Sequence, residues 1–189
     1  NGLRSRIIVQ TDGQIKTARD VAVAAILGAD EWGIATGALV ALGCIMLRKC
    51  HLNTCTVGIA TQDPELRRDF RGRPEAVVNF FTLLAEDLRL IMSKLGVKAV
   101  DDMIGRTELL KPRQAIEHWK ARGVDLAPLL AQPNVDPGIG RYASETQDHG
   151  LANALDQQLI AIAEGAVAHQ TPVRAEFEIT NQNRTVGAM

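Results

Sequence analysis

Gly43-Cys44-Ile45-Met46-Leu47-Arg48-Lys49-Cys50-His51-Leu52-Asn53-Thr54-Cys55-Thr56-Val57-Gly58 holds every cysteine of this 189-residue chain. Five residues separate Cys44 from Cys50, and four separate Cys50 from Cys55. Random placement would cluster three cysteines this tightly in about one chain in a hundred, so the grouping asks for a chemical reason. Thiolates are soft ligands that suit iron–sulfur clusters and zinc. The common clusters use four cysteines, so three leave one corner without a thiolate. A 3Fe–4S cluster is the simplest match, and a 4Fe–4S cluster with one non-cysteine ligand is a second. Zinc held by Cys44, Cys50, Cys55 and His51 is a third, made awkward by the adjacency of Cys50 and His51. Three incidental thiols remain the bland alternative. An odd count with no secretory segment argues against a disulfide framework. Asn53 and Thr54 favour a loop whose amides could face cluster sulfurs. Ile45, Leu47, Leu52 and Val57 would keep water away.

Gly43 to Cys55, followed by Gly58-Ile59-Ala60-Thr61-Gln62, resembles the cluster loop of the glutamate synthase large subunit. That resemblance implies that Cys44, Cys50 and Cys55 hold a 3Fe–4S cluster beside an FMN.

Upstream, Arg6-Ile7-Ile8-Val9-Gln10-Thr11 is mostly apolar and β-branched and reads as a strand buried on both faces. Asp12-Gly13-Gln14 is a turn. Thr17 can cap a helix over 18–27, whose small residues Ala22, Ala24 and Ala25 suit close packing on a sheet, with Gly28 as its stop. Residues 31–35 read as a second strand, and Thr36-Gly37 leads into a helical run over 38–42. Strand, helix, strand, helix with short connections implies an α/β fold with a parallel sheet. The loops after the two strands sit where a (β/α)8 barrel places a phosphate site, and glycine there lets amides approach phosphate oxygens. By pattern alone Gly13 and Gly37 are ordinary turn residues. Asp12 to Thr17 and Gly28 to Gly37 resemble the last two barrel units of the glutamate synthase FMN domain. The resemblance therefore implies that Asp12, Gly13, Gln14, Gly33, Thr36 and Gly37 lie around the FMN.

Asp63 is a plausible N-cap with Pro64 in the first turn of a short helix. The basic stretch 67–73 reads as a solvated turn. Pro74 opens a helix over 75–95, with Val77, Val78, Phe81, Leu84, Leu88, Ile91 and Leu95 as its apolar stripe and Gly96 as its end. Asp101 and Asp102 read as favourable charges at a helix start. Residues 107–130 form a connector with a helical piece over 115–120, where His118 and Trp119 are expected to serve packing. Pro133 and Pro137-Gly138 mark a domain boundary. A helix follows over 152–165, then an alternating strand over 172–179. His149 and His169 are expected at the surface.

Residues 181–187 resemble the entry to the family's right-handed β-helix domain. The expected organisation is therefore the end of an FMN-binding (β/α)8 barrel with its Fe–S loop (1–60), a helical extension and connector (61–131), and the start of the β-helix domain (132–189). The chain opens with Asn1 rather than methionine and closes without a final element, so it reads as an interior piece of a longer polypeptide.

A net charge of −1 gives no electrostatic case for nucleic acid or an anionic membrane. Aromatics at 4% give no stacking platform for bases. No apolar run is long enough to span a bilayer. Free thiols kept as ligands suit the cytoplasm. As the resemblance implies, the intact enzyme would make two glutamates from glutamine and 2-oxoglutarate. Glutamine-derived ammonia and 2-oxoglutarate form 2-iminoglutarate, which FMN reduces. The cluster would bring electrons from an NADPH- and FAD-linked small subunit or from ferredoxin, with pyridine nucleotide preferred. The glutaminase nucleophile and most substrate contacts would lie outside these residues, so no catalytic residue is assigned. A stand-alone electron-transfer module or a zinc-stabilised domain are the other readings.

Overall fold

The computed structural model describes residues 2–112, 119–120, 123–136 and 138–188. Two compact units are present, 1–145 and 146–189. The first is α/β. β1 is only Gln10–Thr11 and β2 is Glu31–Trp32. They pair in parallel, with Gln10 opposite Glu31 and Thr11 opposite Trp32, as the strand–helix–strand pattern predicts. The strand expected over 6–11 is thus shorter, preceded by a 3-10 turn at Arg4–Arg6. It is also not buried on both faces: Ile7 is 47% and Ile8 63% exposed. A ladder forms only where a partner strand lies alongside, and β2 reaches only two residues of β1.

Between the strands runs α1, Ala18–Ile26, opened by a capping box. The Thr17 hydroxyl accepts from the Asp20 N–H at 3.3 Å, and Asp20 Oδ2 accepts from the Thr17 N–H at 2.9 Å. Local hydrogen bonds set this start, which is why it is readable from sequence. α2 is Thr36–Ala41. α3, Pro64–Arg67, is capped by Asp63, whose Oδ1 accepts from Glu65 N–H at 2.8 Å and Leu66 N–H at 3.3 Å. α4, Pro74–Leu95, ends at Gly96 as expected.

The core forms where α1 meets α4. Ala18, Val21, Ala22, Ala25 and Ile26 pack with Leu88, Met92, Val97, Met103 and Ile104. The alanines of α1 therefore admit another helix rather than only the sheet. Leu84, Ile91 and Leu95 of the expected stripe pack against this core. Val78 and Phe81 do not, being 62% and 39% exposed.

Asp30 ties the N-terminal segment to the far end of this unit. Its carboxylate accepts from Arg4 Nη2 at 2.8 Å, from Val9 N–H at 2.7 Å and from Ala143 N–H at 2.9 Å. The carbonyl of Ser5 accepts from the N–H groups of Ser144 and Glu145.

Asp101 and Asp102 stand in the first turn of a helix as expected, a short 3-10 helix, Asp101–Met103. Asp102 accepts from the Ala99 N–H at 3.2 Å, while Arg106 pairs with Glu108 at 2.7 Å. These contacts leave the paired carboxylates a structural role. The helical piece expected over 115–120 lies largely outside the described residues, as does His118. Trp119 is 71% exposed rather than packed, with the Lys120 ammonium 5.2 Å from its ring centre. A short α5, Ala127–Leu130, follows with Pro128 in its first turn.

The second unit is built on α6, Leu155–His169, whose buried Asp156 accepts from Gly187 N–H at 2.7 Å. His149 and His169 are exposed. Residues 172–179 form no strand. Alternation of apolar and charged residues describes which faces a strand would have, but a ladder also needs a neighbour. Among the described residues none pairs with this segment.

Candidate functional site

The Asp12-Gly13-Gln14 turn leaves β1, and residues 33–36 leave β2 beside it. Parallel pairing puts both loops at the same end of the sheet. Together Asp12, Gly13, Gln14, Ile15, Gly33, Ile34, Ala35 and Thr36 line an open cleft of about 380 Å³. That size falls within the range of ligand pockets. The loops touch closely: a β-carbon on Gly33 would lie 2.9 Å from that of Asp12. Gly13 and Gln14 both have positive φ, 84° and 64°. Lys16 Nζ donates to Gln14 Oε1, so a cation stands at the cleft's edge.

Gly37 is placed differently. It lies in the first turn of α2 but faces α4, where an added β-carbon would be 2.7 Å from the Phe80 ring. Glycine at this position serves helix packing. Ile15, Ile34 and Ala35 line the cleft without any motif to announce them.

α2 joins this cleft to the cysteine loop. Thr36 begins it, and Gly43 ends it with φ 98°. The Gly43 N–H donates to Val40 O at 2.9 Å and the Cys44 N–H to Leu39 O at 2.9 Å, a Schellman closure that needs the left-handed residue glycine supplies. Six helical residues rise about 9 Å, which sets the scale of separation between cleft and first cysteine.

Cys44, Cys50 and Cys55 line one small depression with Ile45, Leu47, Arg48, Lys49, Thr56 and Val57. All three are free thiols, Cys50 exposed and the other two half-buried. Among the described residues no three His, Cys, Asp or Glu side chains are gathered closely enough to share one metal ion. His51 is exposed and outside the lining of the depression, so the zinc set with His51 is not assembled. A cluster spreads its irons among its ligands and demands less convergence than a single tetrahedral ion.

The backbone is turned toward the sulfurs. Gly43, Met46, Arg48, Asn53 and Gly58 all have positive φ. Left-handed residues set among right-handed ones curl the chain so that successive N–H groups face one side, forming an anion-binding concavity. The Met46 N–H donates to Cys44 Sγ at 3.4 Å. The Ala60 amide is the largest influence on the Cys55 thiol, burial opposes it, and the amides of Val57, Ile59 and Gly58 add to it, so the thiol is held below its ordinary pKa. Amide donors favour the thiolate, which is the ligand form. The sequence names Asn53 and Thr54 as amide sources, but the donors at Cys55 lie after it.

The first unit is thus an α/β unit with a glycine-containing cleft at the strand ends, joined by one short helix to a loop that carries three thiols. A family model described as a conserved region in glutamate synthase matches residues 1–98, just over half of the chain. The chain belongs to the glutamate synthase family. It is 54% identical over its whole length to "Glutamate synthase [NADH]" of Schizosaccharomyces pombe, spanning 9% of that protein. It is 45% identical over its whole length to "Glutamate synthase [NADPH] large chain" of Bacillus subtilis, spanning 12%. It is 40% identical over 99% of its length to "Ferredoxin-dependent glutamate synthase 2" of Synechocystis, again spanning 12%. The chain thus spans about a tenth of the length of the curated relatives it matches. Among the described residues no helix is long and apolar enough to cross a membrane.

Proposed function

We propose that this chain is the part of a glutamate synthase large subunit where electrons pass through a 3Fe–4S cluster to FMN. The activity of the whole protein is reductive transfer of the glutamine amide nitrogen to 2-oxoglutarate, giving glutamate. One observation carries this reading: three thiols line a single depression, where the Met46 N–H donates to Cys44 Sγ, at the far end of a six-residue helix that starts in the cleft.

Cys44, Cys50 and Cys55 would ligate the cluster. Asp12, Gly13, Gln14, Gly33, Thr36 and Gly37 would hold FMN, with glycine amides and the Thr36 hydroxyl as phosphate donors and Asp12 as a hydroxyl acceptor. When bound, the cluster supplies one-electron relay and the flavin supplies hydride transfer. The chain's own part is to orient both groups, to stabilise thiolates through backbone amides, and to set their spacing through α2. Gly37 supports the site by letting α2 seat on α4. No catalytic acid, base or nucleophile is assigned to these residues, and the chain by itself is expected to be inactive.

In this reading β1, α1, β2 and α2 are the last two units of a (β/α)8 barrel, within domain 1–60. Residues 61–131 form a helical extension, and 132–189 begin a right-handed β-helix domain. Exposed Ile7 and Ile8 support it, since the missing barrel strands would cover them. The partners are 2-oxoglutarate, glutamine-derived ammonia and an electron donor. Identity rises from 40% to the ferredoxin-dependent relative to 54% to the NADH-named one, which supports a pyridine-nucleotide donor. A cytoplasmic location suits reduced thiols.

The test is iron, acid-labile sulfide and zinc per chain in the anaerobically purified intact polypeptide, with an EPR spectrum of the oxidised sample. Iron near three with a paramagnetic oxidised state supports the proposal. Zinc near one without sulfide would replace it with a structural metal domain.

A further inference from the structure

We propose that Thr61 is a positioning residue for the cysteine loop, acting through Asn53. This rests on the reading that the three cysteines hold an iron–sulfur cluster. Thr61 is 8% exposed, one of few buried polar side chains. Its hydroxyl oxygen lies 2.8 Å from the Asn53 carbonyl and 2.9 Å from Asn53 Oδ1, and it accepts from the Asp63 N–H at 3.1 Å. The single hydroxyl proton is shared between two acceptors of one residue. The Gln62 N–H also donates to Asn53 Oδ1, at 2.6 Å.

Asn53 is the hinge of the loop. It closes the 3-10 turn Cys50–Leu52 in the left-handed conformation, φ 60°, and its N–H donates to Cys50 O at 3.3 Å. It stands three residues after Cys50 and two before Cys55. On the other side of the clasp, Thr61 stands six residues after Cys55, at the exit of the loop. Asp63, which donates to Thr61, caps α3. One hydroxyl therefore connects the turn carrying Cys50, the stretch that follows Cys55 and a helix outside the loop. Removing it leaves the Asn53 side chain held only by the Gln62 N–H and strands the Asp63 N–H, without touching a ligand, so the directions of the Cys50 and Cys55 sulfurs change together. Residues that orient metal ligands typically govern metal retention about tenfold or more.

The experiment uses the intact polypeptide, purified anaerobically as wild type, Thr61→Val and Thr61→Ser. Iron and sulfide per chain, the EPR line shape, the cluster midpoint potential and the rate of cluster loss in air are measured. Circular dichroism checks folding. Expected are a changed line shape and a shifted midpoint in Thr61→Val, cluster loss about tenfold faster, and recovery toward wild type in Thr61→Ser. Should Thr61→Val fail to accumulate, Asn53→Gly keeps the left-handed turn and removes the side chain that meets both the Thr61 hydroxyl and the Gln62 N–H, and a shift in line shape and midpoint is again expected. A folded Thr61→Val or Asn53→Gly protein with wild-type line shape, potential and loss rate overturns the proposal alone. A wild-type protein without iron and sulfide overturns the cluster reading and the proposal with it.

Discussion

Gly58 rests on the backbone of Leu66: a β-carbon at Gly58 would lie 2.6 Å from the Leu66 carbonyl oxygen and 2.9 Å from the Phe70 nitrogen. The cysteine loop and α3 thus meet main chain to main chain. Neither contact atom belongs to a flexible side chain, so neither can move aside cheaply.

Gly58→Ala is therefore expected to be costly. Gly58 also has φ 73°, which penalises any L side chain. Left-handed strain and overpacking together amount to about 2–4 kcal/mol. A lowered unfolding midpoint and reduced iron content are the expected readings. Wild-type values for both would show that the loop and α3 do not meet this closely.

Cys50→Ser is expected to remove the cluster while the polypeptide still accumulates. Cys50 is exposed and takes no part in the α1–α4 core, so its loss costs little packing. Iron and sulfide analysis beside circular dichroism decides it. A mutant with full wild-type iron would withdraw Cys50 from the ligand set.

Thr36→Val tests the cleft. The change keeps shape and removes one hydroxyl, worth about 1 kcal/mol or roughly fivefold in affinity if it meets a phosphate. Flavin fluorescence titration of the apo-polypeptide reads this directly. On the barrel proposal, these 189 residues by themselves are expected not to bind FMN tightly. Unchanged affinity in Thr36→Val would remove that residue from the site.

Asp30 gives an acid limb to stability. Burial alone would raise its pKa, but the N–H groups of Val9 and Ala143 and the Arg4 guanidinium outweigh it and hold the carboxyl below its ordinary value. The folded pKa is below the unfolded one, so this stability is present above about pH 4 and is lost as pH falls through the folded value. Asp30→Ala is expected to cost about 2–3 kcal/mol at pH 7, by stranding those donors, and to flatten the decline below pH 4. Urea unfolding of both proteins at several pH values checks it. Parallel acid limbs in the two would exclude Asp30 as the source.

Much of the fold was legible because its signals are short-ranged. Thr17 with Asp20, Asp63 with Pro64, and Gly96 each bound a helix through contacts within a few residues. The parallel pairing followed from element order. Trp119 and residues 172–179 were misread, and Ile7 and Ile8 are exposed in these 189 residues, because burial and strand pairing depend on neighbours that apolar character does not specify. Within the site, Gly37 was read as a loop residue because sequence cannot show that Phe80 stands over it.

By itself the sequence determined the thiol set, the loop order that puts it after the second strand, and the caps of the main helices, since composition, spacing and local hydrogen bonds suffice for these. Only the tertiary structure decided that the three cysteines share one depression, that the Met46 amide donates to Cys44 Sγ, that Gly58 abuts Leu66, and that Thr61 clasps Asn53. Those relationships arise when separate stretches of backbone close on each other, and no residue's identity encodes the direction of a distant N–H.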